Sequence, residues 1–135
     1  MLTQKDVDDV SYRVIGAAIE VHKTMGSGLL ESVYHKCFLK ELELRGLSFK
    51  SEIHVPLEYK GLMLEGKLRF DVLVEDLVVV ELKATDAFLP VHFSQLRTYM
   101  RLMKAPKGVI IKFSCTNIFK DGQKTIVNEY YSALP

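Results

Sequence analysis

With 135 residues and 48% apolar content the chain is long enough for one packed core, since single cores usually run to roughly 100–150 residues, and no tract is biased enough for disorder. Lys and Arg total 18 against 17 Asp and Glu, a formal net charge of +1, so a broadly basic nucleic-acid-binding surface is excluded and any such contact must come from a local site. Residues 1–6 lack the pattern of a signal peptide, no apolar run approaches the ~20 residues that span a bilayer, and Cys37 and Cys115 form no CxxC, which points to a reduced cytoplasmic protein without membrane contact.

From Val7 to Lys23 apolar residues recur at Val10, Val14, Ala17, Ala18 and Val21, the spacing of a helix with one buried stripe. Met25-Gly26-Ser27-Gly28 breaks it. A second helix follows, with Leu30, Val33, Tyr34, Cys37, Phe38 and Leu42 along one face and Gly46 as its left-handed stop. Phe49, Ile53, Val55, Leu57 and Tyr59 then alternate with Lys50, Glu52, His54 and Glu58, which predicts a half-buried strand with Pro56 placing it at a sheet edge. Lys60-Gly61 reads as a turn, and residues 62–74 as one or two strands with a bend at Gly66. After the polar break Glu75-Asp76, the run Leu77-Val78-Val79-Val80-Glu81-Leu82-Lys83 is apolar on both faces and predicts a central strand.

Pro90 opens a third helix whose buried stripe is Phe93, Leu96, Met100 and Met103, and Pro106 closes it. Val109-Ile110-Ile111 is a further buried strand, and residues 117–127 predict a terminal hairpin about Asp121-Gly122. The order is α, α, β, β, β, α, β with a β tail: one α/β (α+β) domain, residues 1–135, with a mixed sheet.

Three ionisable residues interrupt this apolar pattern. Asp71 lies between Phe70 and Val72, Glu81 follows three valines, and Lys83 shares a strand face with Glu81. Unpartnered burial of such groups costs several kcal/mol each. One reading is a metal-assisted hydrolytic site: Asp71 and Glu81, with the Leu82 carbonyl, hold Mg²⁺ or Mn²⁺, and Lys83 orients or deprotonates a water. The other is a structural ion pair in which Lys83 bridges two carboxylates. Geometry separates them. A plain two-residue Glu75-Asp76 turn pairs Val74 with Leu77 and sends Asp71 and Glu81 to opposite faces. Convergence therefore requires an odd-numbered turn or a bulge.

Gly28-Leu29-Leu30-Glu31-Ser32-Val33-Tyr34 carries a G-x-x-E-x-x-Y pattern, followed in order by Val55-Pro56-Leu57, Asp71-Val72-Leu73-Val74-Glu75, Val80-Glu81-Leu82-Lys83-Ala84 and Pro90-Val91-His92-Phe93-Ser94-Gln95-Leu96. In these motifs the chain resembles the GxxExxY proteins, which are placed in the PD-(D/E)XK nuclease superfamily. The resemblance implies a restriction-endonuclease-like αβββαβ core. It also implies that Asp71 and Glu81 bind metal, that Lys83 is catalytic, that Glu31 is an additional acidic site residue, and that Gln95 lies beside the centre. The proline of the superfamily motif is replaced by Phe70.

Plainer roles stand beside these. Gly28 can cap the second helix with Glu31 at its third position, Tyr34 falls on the apolar face, and Gln95 can simply face solvent. His22, His35 and His54 show no ligand spacing; His92, one turn before Gln95, is the histidine within reach of the site. Arg97, Arg101, Lys104 and Lys107 form either a basic strip or a solvated helix face. The leading expectation is a Mg²⁺- or Mn²⁺-dependent nuclease-like hydrolase acting on DNA or RNA. The alternatives are a nucleic-acid- or protein-binding accessory module of the same fold, or a small-nucleotide hydrolase needing no basic surface. The apolar tail (Ile126, Val127, Tyr130, Tyr131) and the edge strand can support a homodimer.

Overall fold

Thr3 starts α1 (Gln4–Met25): its hydroxyl accepts from the Asp6 amide at 3.2 Å, and the Asp6 carboxylate accepts from the Thr3 amide at 2.9 Å. The computed structural model describes the backbone of residues 1–135 and all side chains except those of residues 65–70. Val7, Val14, Ala17, Ala18 and Val21 form the buried stripe of α1. α2 (Glu31–Leu44) buries Tyr34, Phe38 and Leu42, and it ends where Gly46 takes φ +72°. There the Leu47 amide reaches the Leu42 carbonyl and the Gly46 amide the Glu43 carbonyl, closing the helix with a Schellman pair. Leu30 departs from expectation: it is the residue preceding the helix and is 74% exposed. Gly28, at φ +96°, lies two residues before the cap position and cannot serve as the extended N-cap.

Five strands follow the order β1-β2-β3-β4-β5: β1 (Phe49–Tyr59), β2 (Leu62–Val74), β3 (Val78–Lys83), β4 (Lys107–Lys112) and β5 (Gln123–Val127). Neighbours are antiparallel except β3 and β4, which run parallel because α3 (Pro90–Met103) connects them. The valine-rich β3 is the middle strand, and Val78 to Leu82 are all buried. Val72, Val74, Val78, Val80 and Leu82 pack towards α1 and α2; Leu73, Val79 and Ile110 pack towards Leu96, Tyr99 and Met100 of α3. This is the mixed α+β arrangement that the element order implied. Among the described residues no helix is long and apolar enough to cross a membrane. Cys37 and Cys115 are unbridged.

Two further expectations require correction, and one lies outside the described residues. The unbroken alternation of β1 fails at Glu52, which adopts φ +55°: Phe49 packs with the α1–α2 cluster, whereas Ile53 and Val55 join the α3 cluster. The hairpin about Asp121-Gly122 is instead a helical turn, α4 (Ile118–Asp121), leading into β5, which pairs with β4. Asn117 explains it: its side chain accepts from the Lys120 amide at 3.0 Å while Ile118 is buried, so the turn is capped and anchored. The bend at Gly66 lies outside the described residues.

The tail is tied down by α1. The Tyr131 hydroxyl donates to Asp8, and the amide of Gln4 reaches the Pro135 carbonyl; between β5 and the C-terminus lies α5 (Glu129–Ser132). Ile126 packs on the α3 cluster of its own chain.

Candidate active site

The connection between β2 and β3 contains three residues, Glu75, Asp76 and Leu77, not two. Glu75 and Asp76 both take positive φ (53° and 56°), and the Leu77 amide closes on the Val74 carbonyl at 2.9 Å. Ser48 fixes the turn from the side, donating its hydroxyl to Glu75 at 2.6 Å. Val74 therefore pairs with Val78 and Val72 with Val80, so the next positions in register are Asp71 and Glu81. The odd-numbered turn required for convergence is present.

Both ladders flanking Asp71 stop at it. Towards β3 the pairing ends at Val72–Val80; towards β1 it skips from Ser51–Val72 to Ile53–Phe70, with the left-handed Glu52 between. Side chains take over the freed main-chain groups. The Ser51 hydroxyl donates to the Asp71 carbonyl at 3.3 Å, with His35 at 2.9 Å from that hydroxyl, and the Asp71 amide donates to Glu81 Oε1 at 3.3 Å. Asp71 Oδ2 in turn accepts from the Leu82 amide at 2.7 Å. In an extended strand the carbonyl leaves on the same side as its own amide, so the Leu82 carbonyl faces the gap where β2 and β3 part. Such interruptions re-aim side chains, and here they aim two carboxylates at one place.

Glu81 is only 6% exposed. Burial, then the Asp71 carboxylate, pushes its carboxyl from 4.5 up to about 8, and Lys83 opposes this only partly from 3.9 Å. Two carboxylates with one incompletely compensating lysine form a site short of positive charge. Among the described residues no group of three His, Cys, Asp or Glu side chains converges.

The other expected residues are less tightly drawn in. Glu31, the exposed first residue of α2, accepts from the Ala84 amide at 3.3 Å, one residue beyond Lys83. Gln95 is exposed on α3 and makes no hydrogen bond to Asp71, Glu81 or Lys83. His92 is buried; its Nδ1 accepts from the Leu89 amide at 3.2 Å, and burial, then Lys83, lower its pKa against the pull of Glu31. Its neutral form is thereby favoured. Ser51 and Glu52 were not foreseen: Glu52 fits the strand alternation and carried no signal, whereas Ser51, a polar residue in the apolar phase between Phe49 and Ile53, was a break in the pattern that could have pointed to it. Lys107 leaves the basic strip: it pairs with Asp8 at 2.8 Å.

A family model described as the PD-(D/E)XK nuclease superfamily matches residues 8–126. The chain belongs to this superfamily. The match is to the superfamily as a whole, and the GxxExxY grouping rests on the sequence motifs alone. Among solved structures this PD-(D/E)XK chain is similar to one described as the crystal structure of SSO0001, at 21% identity and a TM-score of 0.52 over 72% of this chain and 49% of the other. The chain thus spans about half the length of that protein, and the likeness concerns the fold. No curated protein matches the sequence.

In this PD-(D/E)XK chain the G-x-x-E-x-x-Y residues act as one local unit. Tyr34 is buried, its ring stacked on Phe113 with centroids 4.2 Å apart. Its hydroxyl donates to the Gly26 carbonyl at 2.6 Å and accepts from the Leu29 amide at 3.2 Å, clamping the loop that delivers Glu31. Tyr34→Phe keeps the stack and orphans both backbone groups. It should cost about 1–3 kcal/mol, read as a lower urea midpoint with an unchanged slope.

Proposed function

We propose that the protein is a divalent-metal-dependent nuclease that hydrolyses phosphodiesters of DNA or RNA, working as one domain over residues 1–135 in the cytoplasm. The observation that carries this reading is the opposition of Asp71 and Glu81 where β2 and β3 part, with Lys83 3.9 Å from Glu81. The donor set fits Mg²⁺ or Mn²⁺, hard cations that take one or two carboxylates and keep several waters. Burial and the neighbouring Asp71, which raise Glu81 to about 8, leave the pair short of positive charge, and that fits it too. Asp71, Glu81 and the Leu82 carbonyl would hold the ion, which when bound supplies Lewis acidity towards the phosphoryl oxygens.

The remaining work falls to the chain's own side chains. In its neutral amine form Lys83 takes a proton from the attacking water, and the ammonium so formed offsets charge on the phosphoryl group. Glu31, anchored on the Ala84 amide, adds a carboxylate at the open end of β3, and Gln95 faces the incoming substrate from α3. A homodimer would present two such sites to two strands.

The test is calorimetric titration with Mg²⁺ and Mn²⁺ of the native protein and of Asp71→Asn. Binding is expected in the first and loss of binding in a second that still shows native circular dichroism. Equal binding by both, or by neither, removes the metal-hydrolase reading. The net charge of +1 favours a second reading, an accessory module that binds without cutting. Metal binding with no cleavage of single-stranded, duplex or branched substrates would establish that one.

A further inference from the structure

Along α3 two cavities meet at Thr98. The smaller, about 160 Å³, is lined by Ser94, Gln95, Thr98 and Tyr99. The larger, about 390 Å³, is bounded by Arg97, Thr98 and Arg101 on the helix and by Asn128 and Glu129 beyond β5. Sharing Thr98, they make a trough that follows α3 from Ser94 to Arg101, about 10 Å at 1.5 Å per residue, with Gln95 one turn from His92.

Its charge is uncommitted. Arg97 and Arg101 are exposed, and neither forms an ion pair or hydrogen bond among the described residues, although Glu129 borders the same cavity. The far wall is rigid, because Asn128 donates to the Ala105 carbonyl at 3.0 Å while its oxygen caps α5. The i,i+4 spacing sets the Cβ atoms of Arg97 and Arg101 about 6 Å apart on one face of the helix. The planar guanidinium fork suits phosphate oxygens.

We propose that this trough is a track for the sugar–phosphate backbone of a single nucleic-acid strand, with Arg97 and Arg101 each holding a phosphate as the strand leaves the Asp71–Glu81 site. The inference rests on the nuclease reading and names where the chain away from the scissile bond is held. It also reconciles nucleic-acid binding with a near-neutral chain: contact is confined to two arginines on one helix.

The experiment measures binding of a fluorescein-labelled single-stranded oligonucleotide by anisotropy across a salt series, in a Lys83→Ala background so that the probe is not cut. Removing two phosphate contacts with Arg97→Ala/Arg101→Ala should weaken binding and flatten the salt slope by about 1.4, at about 0.7 per contact on a single strand. Arg97→Lys/Arg101→Lys should keep the slope. Lys36→Ala/Lys40→Ala, which removes equal charge from α2, should leave it unchanged. An unaltered slope in the arginine-to-alanine pair, or an equal loss in the α2 pair, overturns the track while the nuclease reading stands. No oligonucleotide binding and no cleavage by the native chain overturn both.

Discussion

Relative to Glu81→Gln, the native protein is expected to lose on the order of a few kcal/mol of stability between pH 4.5 and pH 8. The sign follows from the two ionisations. In the unfolded chain Glu81 releases its proton near 4.5; in the folded protein burial and Asp71 hold that proton to about 8. Between those values the folded state binds more protons than the unfolded one, so stability falls as pH rises. Below 4.5 both states are protonated and the group contributes in full. Glutamine never ionises, and its oxygen can still accept from the Asp71 amide. A constant offset between the two proteins near pH 4 reports packing alone, so the decisive quantity is the change with pH.

Urea denaturation at a series of pH values measures it, and Mg²⁺ extends it. If Asp71 and Glu81 hold the ion, Mg²⁺ at pH 8 should restore stability to the native protein by mass action and do little for Glu81→Gln. Parallel pH curves for the two proteins would mean that Glu81 is not the buried, proton-retaining group its surroundings make it.

Much of this arrangement was legible because it rests on short-range chemistry. Three valines in a run can only be satisfied between two layers, and they form the middle strand. Pro90 and Gly46 mark helix ends through backbone constraints that do not depend on the rest of the chain. The meeting of Asp71 and Glu81 was legible only conditionally, since parity of the turn decides it and parity depends on where pairing begins. Ser48, in the loop before β1, braces the observed turn through Glu75.

What escaped depends on partners distant in sequence or on a single dihedral. Lys107 looked like part of a surface strip because nothing near it in sequence announces Asp8, 99 positions away. Glu52 occupies a polar place in an alternating strand, so the left-handed twist that opens the ladder at Asp71 leaves no trace in hydropathy. Asp121-Gly122 reads as a hairpin turn from composition, yet Asn117 and buried Ile118 impose a helical one. The superfamily match speaks for the fold that carries Asp71, Glu81 and Lys83.

Lys83→Ala should lower Mg²⁺-dependent cleavage by about 10²–10⁴-fold, the range expected for loss of a positioned acid–base group, with oligonucleotide affinity largely retained. Two roles predict such a loss, and arginine tells them apart. If Lys83 only offsets negative charge, Lys83→Arg preserves that charge and most of the rate. If Lys83 gives up and recovers a proton, arginine fails, because a guanidinium does not deprotonate in this pH range. The proton role proposed above is the one under test; the ammonium lies 3.9 Å from Glu81 Oε2 and its side chain is 18% exposed. The expected result is therefore that Lys83→Arg is as impaired as Lys83→Ala and that neither shows the native pH–rate profile. Near-native cleavage by Lys83→Arg would reassign the lysine to charge compensation, and near-native cleavage by Lys83→Ala would remove it from the reaction. Rates must be compared at saturating Mg²⁺, because Lys83 lowers the Glu81 pKa; its loss drives that carboxyl further towards the protonated form, and a weaker metal site would otherwise be mistaken for a slower chemical step.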